Sequence, residues 1–220
     1  MTVHHHLDDA TLLRYASGGL DEAFSTIVAA HLAMCEDCRR ALRLAEEVGG
    51  QLLKSNEPAD LAEDAFVRLM QRIDNTGEAV SLGESKHAVV VHSDVPAPLQ
   101  RFIGTSLDDV SWKTVAPGIR KHTIALPSKT ASSLYMLHIA EGKAVPEHGH
   151  GGAEITLVLS GAYRDELGRF GPGDIADLDE HCEHQPKVEP GSPCICLVAT
   201  EAPTRFKGLI SRLLQPLVGI

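Results

Sequence analysis

The sequence predicts a two-domain chain of the α plus all-β class, a small helical bundle followed by a β-sandwich or barrel. Two patterns carry that reading. Up to about residue 73, apolar residues recur at three- and four-residue spacing; from Leu99 onward they fall in short runs separated by Gly and Pro. Length and composition agree, since 220 residues with 43% apolar and 23% charged side chains suffice for two small cores.

The helical elements follow in order. Asp8 and Asp9 are N-cap residues for a first helix with Leu12, Leu13 and Ala16 on one face, and Ser17-Gly18-Gly19 stops it. A second helix spans residues 21–33, acidic in its first turn, with Phe24, Ile27, Val28 and His31 on a 3-4 repeat. A third starts near Asp37 and ends at Gly49-Gly50 or slightly beyond. A fourth, residues 60–73, carries Leu61, Ala65, Phe66, Leu69, Met70 and Ile73 as an apolar stripe. Periodicity fades over residues 74–98, where Pro96-Ala97-Pro98 closes a linker rich in small and polar residues. Beyond it, residues 134–140, 155–159 and 195–199 are short apolar runs bounded by turn residues. They read as strands with no helices between them.

Charge narrows the function. The chain has 20 Lys and Arg against 30 Asp and Glu, a net charge of −10. Residues 1–73 alone hold 7 basic and 12 acidic side chains, or −5. Phosphate neutralisation needs clustered cations, so direct nucleic-acid binding is disfavoured and a basic protein partner suits the field better. No apolar run reaches the roughly 18 residues of a membrane span. The start of the chain lacks the basic-then-apolar build of a signal peptide, so the expected location is cytoplasmic. The five cysteines cluster as Cys35 with Cys38, and Cys182 near Cys194 and Cys196. That is no disulfide framework; it leaves thiols for metal or redox chemistry.

His31 and Cys35 are four residues apart, on one face if the helix continues that far. The Cys35-x-x-Cys38 spacing lets two thiolates grip one tetrahedral Zn²⁺, and a helix N-terminus at Cys38 would help hold a thiolate. A fourth ligand can come from the His4-His5-His6 run folding back. A redox dithiol would need a βαβ context that is absent from this stretch. A histidine, two dozen residues, then His-x3-Cys-x2-Cys on short helices resembles the zinc-binding anti-sigma domain, over about residues 4–73. In that family's pattern the upstream ligand falls 25 positions before the second His, which selects His6.

The second constellation runs from Gly142 to Gly161. His148 and His150, two apart on a strand, point the same way, and Glu154 returns after a Gly-Gly turn. This is similar to the first cupin motif, G-x5-H-x-H-x3-E-x6-G, at every position. Pro172-Gly173-Asp174 resembles the start of the second motif, whose histidine ten residues on is His184; His181 falls three short. The trailing Asn of that motif is missing, since Gln185-Pro186 follows. Three imidazoles and a carboxylate suit Zn²⁺, Fe²⁺, Mn²⁺ or Ni²⁺, with Zn²⁺ the first choice of divalent metal. Cys194 and Cys196 share a strand face, as buried small hydrophobes or as a sensor dithiol.

A zinc anti-sigma domain (1–73), a linker (74–98) and a cupin sensory domain (99–220) together resemble the ChrR-type anti-sigma factors. The resemblance implies a non-enzymatic regulator. Its helical domain would clamp an extracytoplasmic-function sigma factor away from RNA polymerase. Its cupin would govern release under singlet-oxygen or related oxidative stress. The alternative is a metal-dependent cupin enzyme, a dioxygenase or isomerase with a helical appendage, which would have no need of the N-terminal four-ligand set. A third reading, a metal store or dimerisation module, would use the apolar 209–220 tail as an interface.

Overall fold

The computed structural model describes residues 2–75, 93–128 and 131–206. The 209–220 tail and most of the expected 74–98 linker lie outside them. The helices are α1 (Asp9–Ala16), α2 (Glu22–Met34), α3 (Glu36–Lys54), α4 (Ala65–Asn75) and α5 (Ala97–Ile103). The strands are β1 (Lys113–Ala116), β2 (Ile119–Thr123), β3 (Ser133–Ile139), β4 (His148–Gly149), β5 (Glu154–Ser160) and β6 (Tyr163–Asp165). They continue with β7 (Gly168–Phe170), β8 (Ile175–Leu178), β9 (Glu183–His184), β10 (Lys187–Val188), β11 (Cys194–Thr200) and β12 (Arg205–Phe206).

Local chemistry starts the helices. The Asp8 carboxylate accepts from Thr11 N–H at 2.6 Å and that of Asp21 from Phe24 N–H at 3.1 Å, each satisfying an orphan donor of the first turn. Gly18, with φ of +70°, ends α1 in a left-handed conformation. Two boundaries depart from the sequence reading. α3 runs through Gly49 and Gly50 to Lys54, because good helix formers follow and the glycines cost only about 1 kcal/mol each. α4 begins at Ala65, not near Asp60: Ala65 N–H closes a turn on Ala62, and the helical bonds start with Arg68 N–H to Asp64. The β region has no helix between its strands among the described residues, as the sequence predicts, and helix only before the first of them. It opens on α5, where Pro98 sits in the first turn and removes no needed donor, and on a 3₁₀ turn at Leu107–Asp109.

The largest sheet is antiparallel, in the order β1-β2-β3-β11-β5-β8; two three-stranded sheets, β10-β6-β7 and β12-β4-β9, accompany it. Its central strands are apolar at both parities because both faces are buried. Leu134, Met136, Ile155, Leu157 and Leu197 face one cluster, whereas Tyr135, Ile139, Val158, Cys196 and Val198 face the other. The first cluster also contains Phe24, Ile27 and Val28 of α2 and Leu99 of α5. α2 is therefore buried nearly all round, and the N-terminal helices and the large sheet share one core.

Compactness divides the chain accordingly: residues 1–47 and 93–220 form one unit, and residues 48–92 another. Within the second unit, α4 buries none of its residues, and Phe66, Val67, Leu69 and Met70 are exposed.

Two candidate metal centres

The first centre forms where α2 gives way to α3. His31 lies in the last turn of α2, and Cys35 leaves helical geometry at φ −113°, ψ 115°. That break swings the next helix round so that Cys38 returns to the same side. Glu36 opens α3, one residue before the expected Asp37, so Cys38 lies in its first turn as the sequence predicts, and Cys35 Sγ accepts the Cys38 N–H at 3.4 Å. His6 comes from the irregular segment before α1. Its Nδ1 is 3.3 Å from Cys35 Sγ and 3.7 Å from Cys38 Sγ, and His31 Nε2 is 3.2 Å from Cys38 Sγ. The four ligand atoms all lie within 4.8 Å of one another.

Tetrahedral Zn²⁺ with its usual bond lengths separates its ligands by about 3.3–3.8 Å, so the donor set fits the ion. The electrostatics fit as well. Burial holds His31 down at about 4, hence neutral with a lone pair on Nε2, because Nδ1–H donates to the Gly173 carbonyl at 3.0 Å. Burial, with Cys35 beside it, pushes the Cys38 thiol up to about 11. Two thiolates are thus disfavoured there until a cation supplies the opposing charge.

The second centre lies inside the β domain. β4 and β9 pair so that His148 faces His184; His150 follows β4, and Glu154 opens β5. All four are buried, with ligand atoms within 4.8 Å of one another. His148 Nδ1–H donates to Pro146 O at 2.8 Å and His184 Nδ1–H to Asp165 Oδ2 at 2.9 Å. The two Nε2 atoms face each other across 3.1 Å. Burial, then His184, holds His148 at about 4, so it is neutral near pH 7. Both ring nitrogens of His150 and Glu154 Oε2 are buried without a hydrogen-bond partner; Oε2 is 3.3 Å from His150 Nδ1 without hydrogen-bond geometry. This is the donor set of a metal site, and either centre could hold a metal.

A cavity of about 50 Å³ adjoins the second centre, lined by Tyr135, Leu137, Val145, Tyr163, Val188 and Cys196 among others. His181, the alternative ligand position, is exposed. Cys194 and Cys196 Sγ are 3.5 Å apart, and that contact together with burial pushes the Cys196 thiol well up, away from the reactive thiolate. Sequence reasoning missed Asp165, which orients His184, and the roles of Gly173 and Asp174 at the first centre. Asp165 stands 19 residues before its histidine on another strand, with no local signal to connect them.

Comparison with known proteins decides the family. Over 216 residues the chain is 42% identical to the anti-sigma-E factor ChrR of Cereibacter sphaeroides, spanning 98% of each chain. The chain belongs to the ChrR family of anti-sigma factors. The ChrR cupin-like domain matches residues 100–203, so the β domain is a cupin. The crystal structure of Rhodobacter sphaeroides SigE in complex with the anti-sigma ChrR superposes with a TM-score of 0.76 at 40% identity. The match covers 90% of this chain and 99% of that one. ChrR membership makes this chain a regulator and sets the cupin-enzyme alternative aside. Among the described residues, no helix is long and apolar enough to cross a membrane.

Proposed function

We propose that this chain holds an extracytoplasmic-function sigma factor away from RNA polymerase and lets it go under oxidative stress of the singlet-oxygen type, in the cytoplasm. The observation that carries the partner is the relative crystallised with SigE, which this chain resembles over nine-tenths of its length. Residues 1–73 serve as the sigma-binding part and 99–220 as the sensory cupin, joined through 74–98. The N-terminal part carries five more acidic than basic side chains, suited to the basic polymerase- and DNA-facing surfaces of a sigma factor. Leu44, Leu52 and Leu53 of α3 and Phe66, Leu69 and Met70 of α4 are exposed apolar side chains, the kind that a helical partner would cover.

Two metals complete the reading. His6, His31, Cys35 and Cys38 hold a structural Zn²⁺ that locks the α2–α3 junction. His148, His150, Glu154 and His184 hold a divalent metal, Zn²⁺ by preference, whose surroundings change under stress. Sensing then requires only that the sigma-bound form and the released form differ in free energy by a few kcal/mol at the cupin.

The test uses the full chain. Co-purification from its host should recover a sigma factor together with two metal equivalents, and the pure chain should silence that factor in transcription assays. The double variant His148→Ala/His150→Ala should bind sigma at rest but release it weakly under a photosensitiser and light. Unimpeded transcription with excess metal-loaded chain would refute the anti-sigma role. Release like the parent's from the double variant would refute sensing through the cupin metal.

A further inference from the structure

The first metal centre takes its outer support from the cupin. His31 belongs to α2, yet the bond that fixes its ring runs 142 residues along the chain, to the Gly173 carbonyl in the turn between β7 and β8. Donation from Nδ1–H leaves Nε2 as the atom facing Cys38 Sγ. The segment bearing His6 is held by the next residue of that same turn. The backbone N–H groups of His4 and His5 donate to Asp174 Oδ1 at 2.6 and 3.0 Å, and His5 O accepts from Ile175 N–H at 3.3 Å.

Asp174 is only 2% exposed, and its other oxygen accepts Gly171 N–H at 2.8 Å. One oxygen closes the turn and the other anchors the N-terminal segment. A buried carboxylate is costly unless it is fully hydrogen-bonded, and here the bonds come from both sides of the junction. The turn also touches the interior of the cupin. Tyr163, which lines the cavity, stacks on Phe170 with ring centroids 4.9 Å apart, and Phe170 stacks on His5 at 4.0 Å. Asp165, which holds His184, ends β6 on the same hairpin.

We propose that Asp174 and the Gly173 carbonyl are positioning groups for the N-terminal zinc centre, so that the turn between β7 and β8 ties the affinity of that centre to the state of the cupin. This deepens, and rests on, the reading of His6, His31, Cys35 and Cys38 as zinc ligands. Neither group belongs to the helical motif, and both act across the shared core. Outer groups of this kind are worth about 10–100-fold in metal affinity. By reciprocity, whatever displaces the turn from the cupin side weakens zinc at the clamp, and loss of zinc loosens the turn.

Cobalt reads the two centres apart, because only the N-terminal ligand set contains thiolates and gives thiolate-to-cobalt charge-transfer absorption. The full-length chain loaded with Co²⁺ is titrated with a chelator, and the band is followed alongside total bound metal. Asp174→Ala should weaken the thiolate centre by about 10–100-fold while the second equivalent is held as in the parent. Asp174→Asn keeps one acceptor oxygen and should weaken the same centre selectively but less. Parental affinity at the thiolate centre in both variants overturns the proposal. Equal loss at both centres in both variants also overturns it, since Asp174 would then merely prop up the β domain. A parent chain without the charge-transfer band would instead overturn the zinc reading on which the proposal stands.

Discussion

Replacing Ile27 by Ala tests whether the helical segment and the cupin are one cooperative body. Ile27 is fully buried on α2, in the cluster shared with Ile155, Leu157 and Leu197 of the large sheet. Removing its outer carbons leaves a cavity that α2, pinned at His31 and capped at Asp21, can close only in part. Such truncations cost about 2–5 kcal/mol, and a central value of about 3 kcal/mol lowers the melting temperature of a chain this size by about 6–12 °C. The assay is a paired melt of metal-loaded protein. Circular dichroism follows the helices, and emission follows Trp112, the one tryptophan, which packs against the same cluster from the β domain. Both transitions should move together by the same amount. A helical signal that melts early while the Trp112 transition stays parental would show two independent folding units and refute the shared core.

Metal affinity at the first centre should rise with pH. Burial keeps the Cys38 thiol protonated up to about 11, and the metal takes the thiolate, so at least one proton leaves on binding. Each such proton adds about tenfold, or 1.4 kcal/mol, per pH unit, giving at least about a hundredfold gain from pH 6 to 8. His31, held neutral at about 4, contributes no proton there; a pH-independent affinity from chelator competition would contradict the assignment. At the second centre, Asp165→Asn turns a charged acceptor for His184 Nδ1–H into a neutral one and should weaken metal binding there. Loss of the partner altogether in Asp165→Ala should cost about 10–100-fold by isothermal titration, and parental affinity in Ala would show that Asp165 does not orient the ligand.

What could be read along the chain was whatever depends on neighbours in sequence. Helix periodicity, the Asp8 and Asp21 caps and the short apolar runs are local signals. The same holds for the close spacing of His31, Cys35 and Cys38 at one helix junction, and of His148, His150 and Glu154 on and between two consecutive strands. His6 and His184 needed a family's pattern to be singled out, because 24 and 29 residues separate each from its group and no period spans such gaps. Helix ends were less legible: α3 runs past two glycines and α4 starts late, since propensity is weak against the turns that actually form.

Only the tertiary structure decided that α2 lies on the large sheet. Both faces of β3, β5 and β11 are apolar, and an apolar run does not say which element will cover its second face. The same holds for Asp165, Gly173 and Asp174. Each does its work through one hydrogen bond or a few, from another element, and for Gly173 and Asp174 from the other end of the chain. A hydrogen bond depends on position in space to within a few tenths of an ångström, and only the folded chain sets those positions.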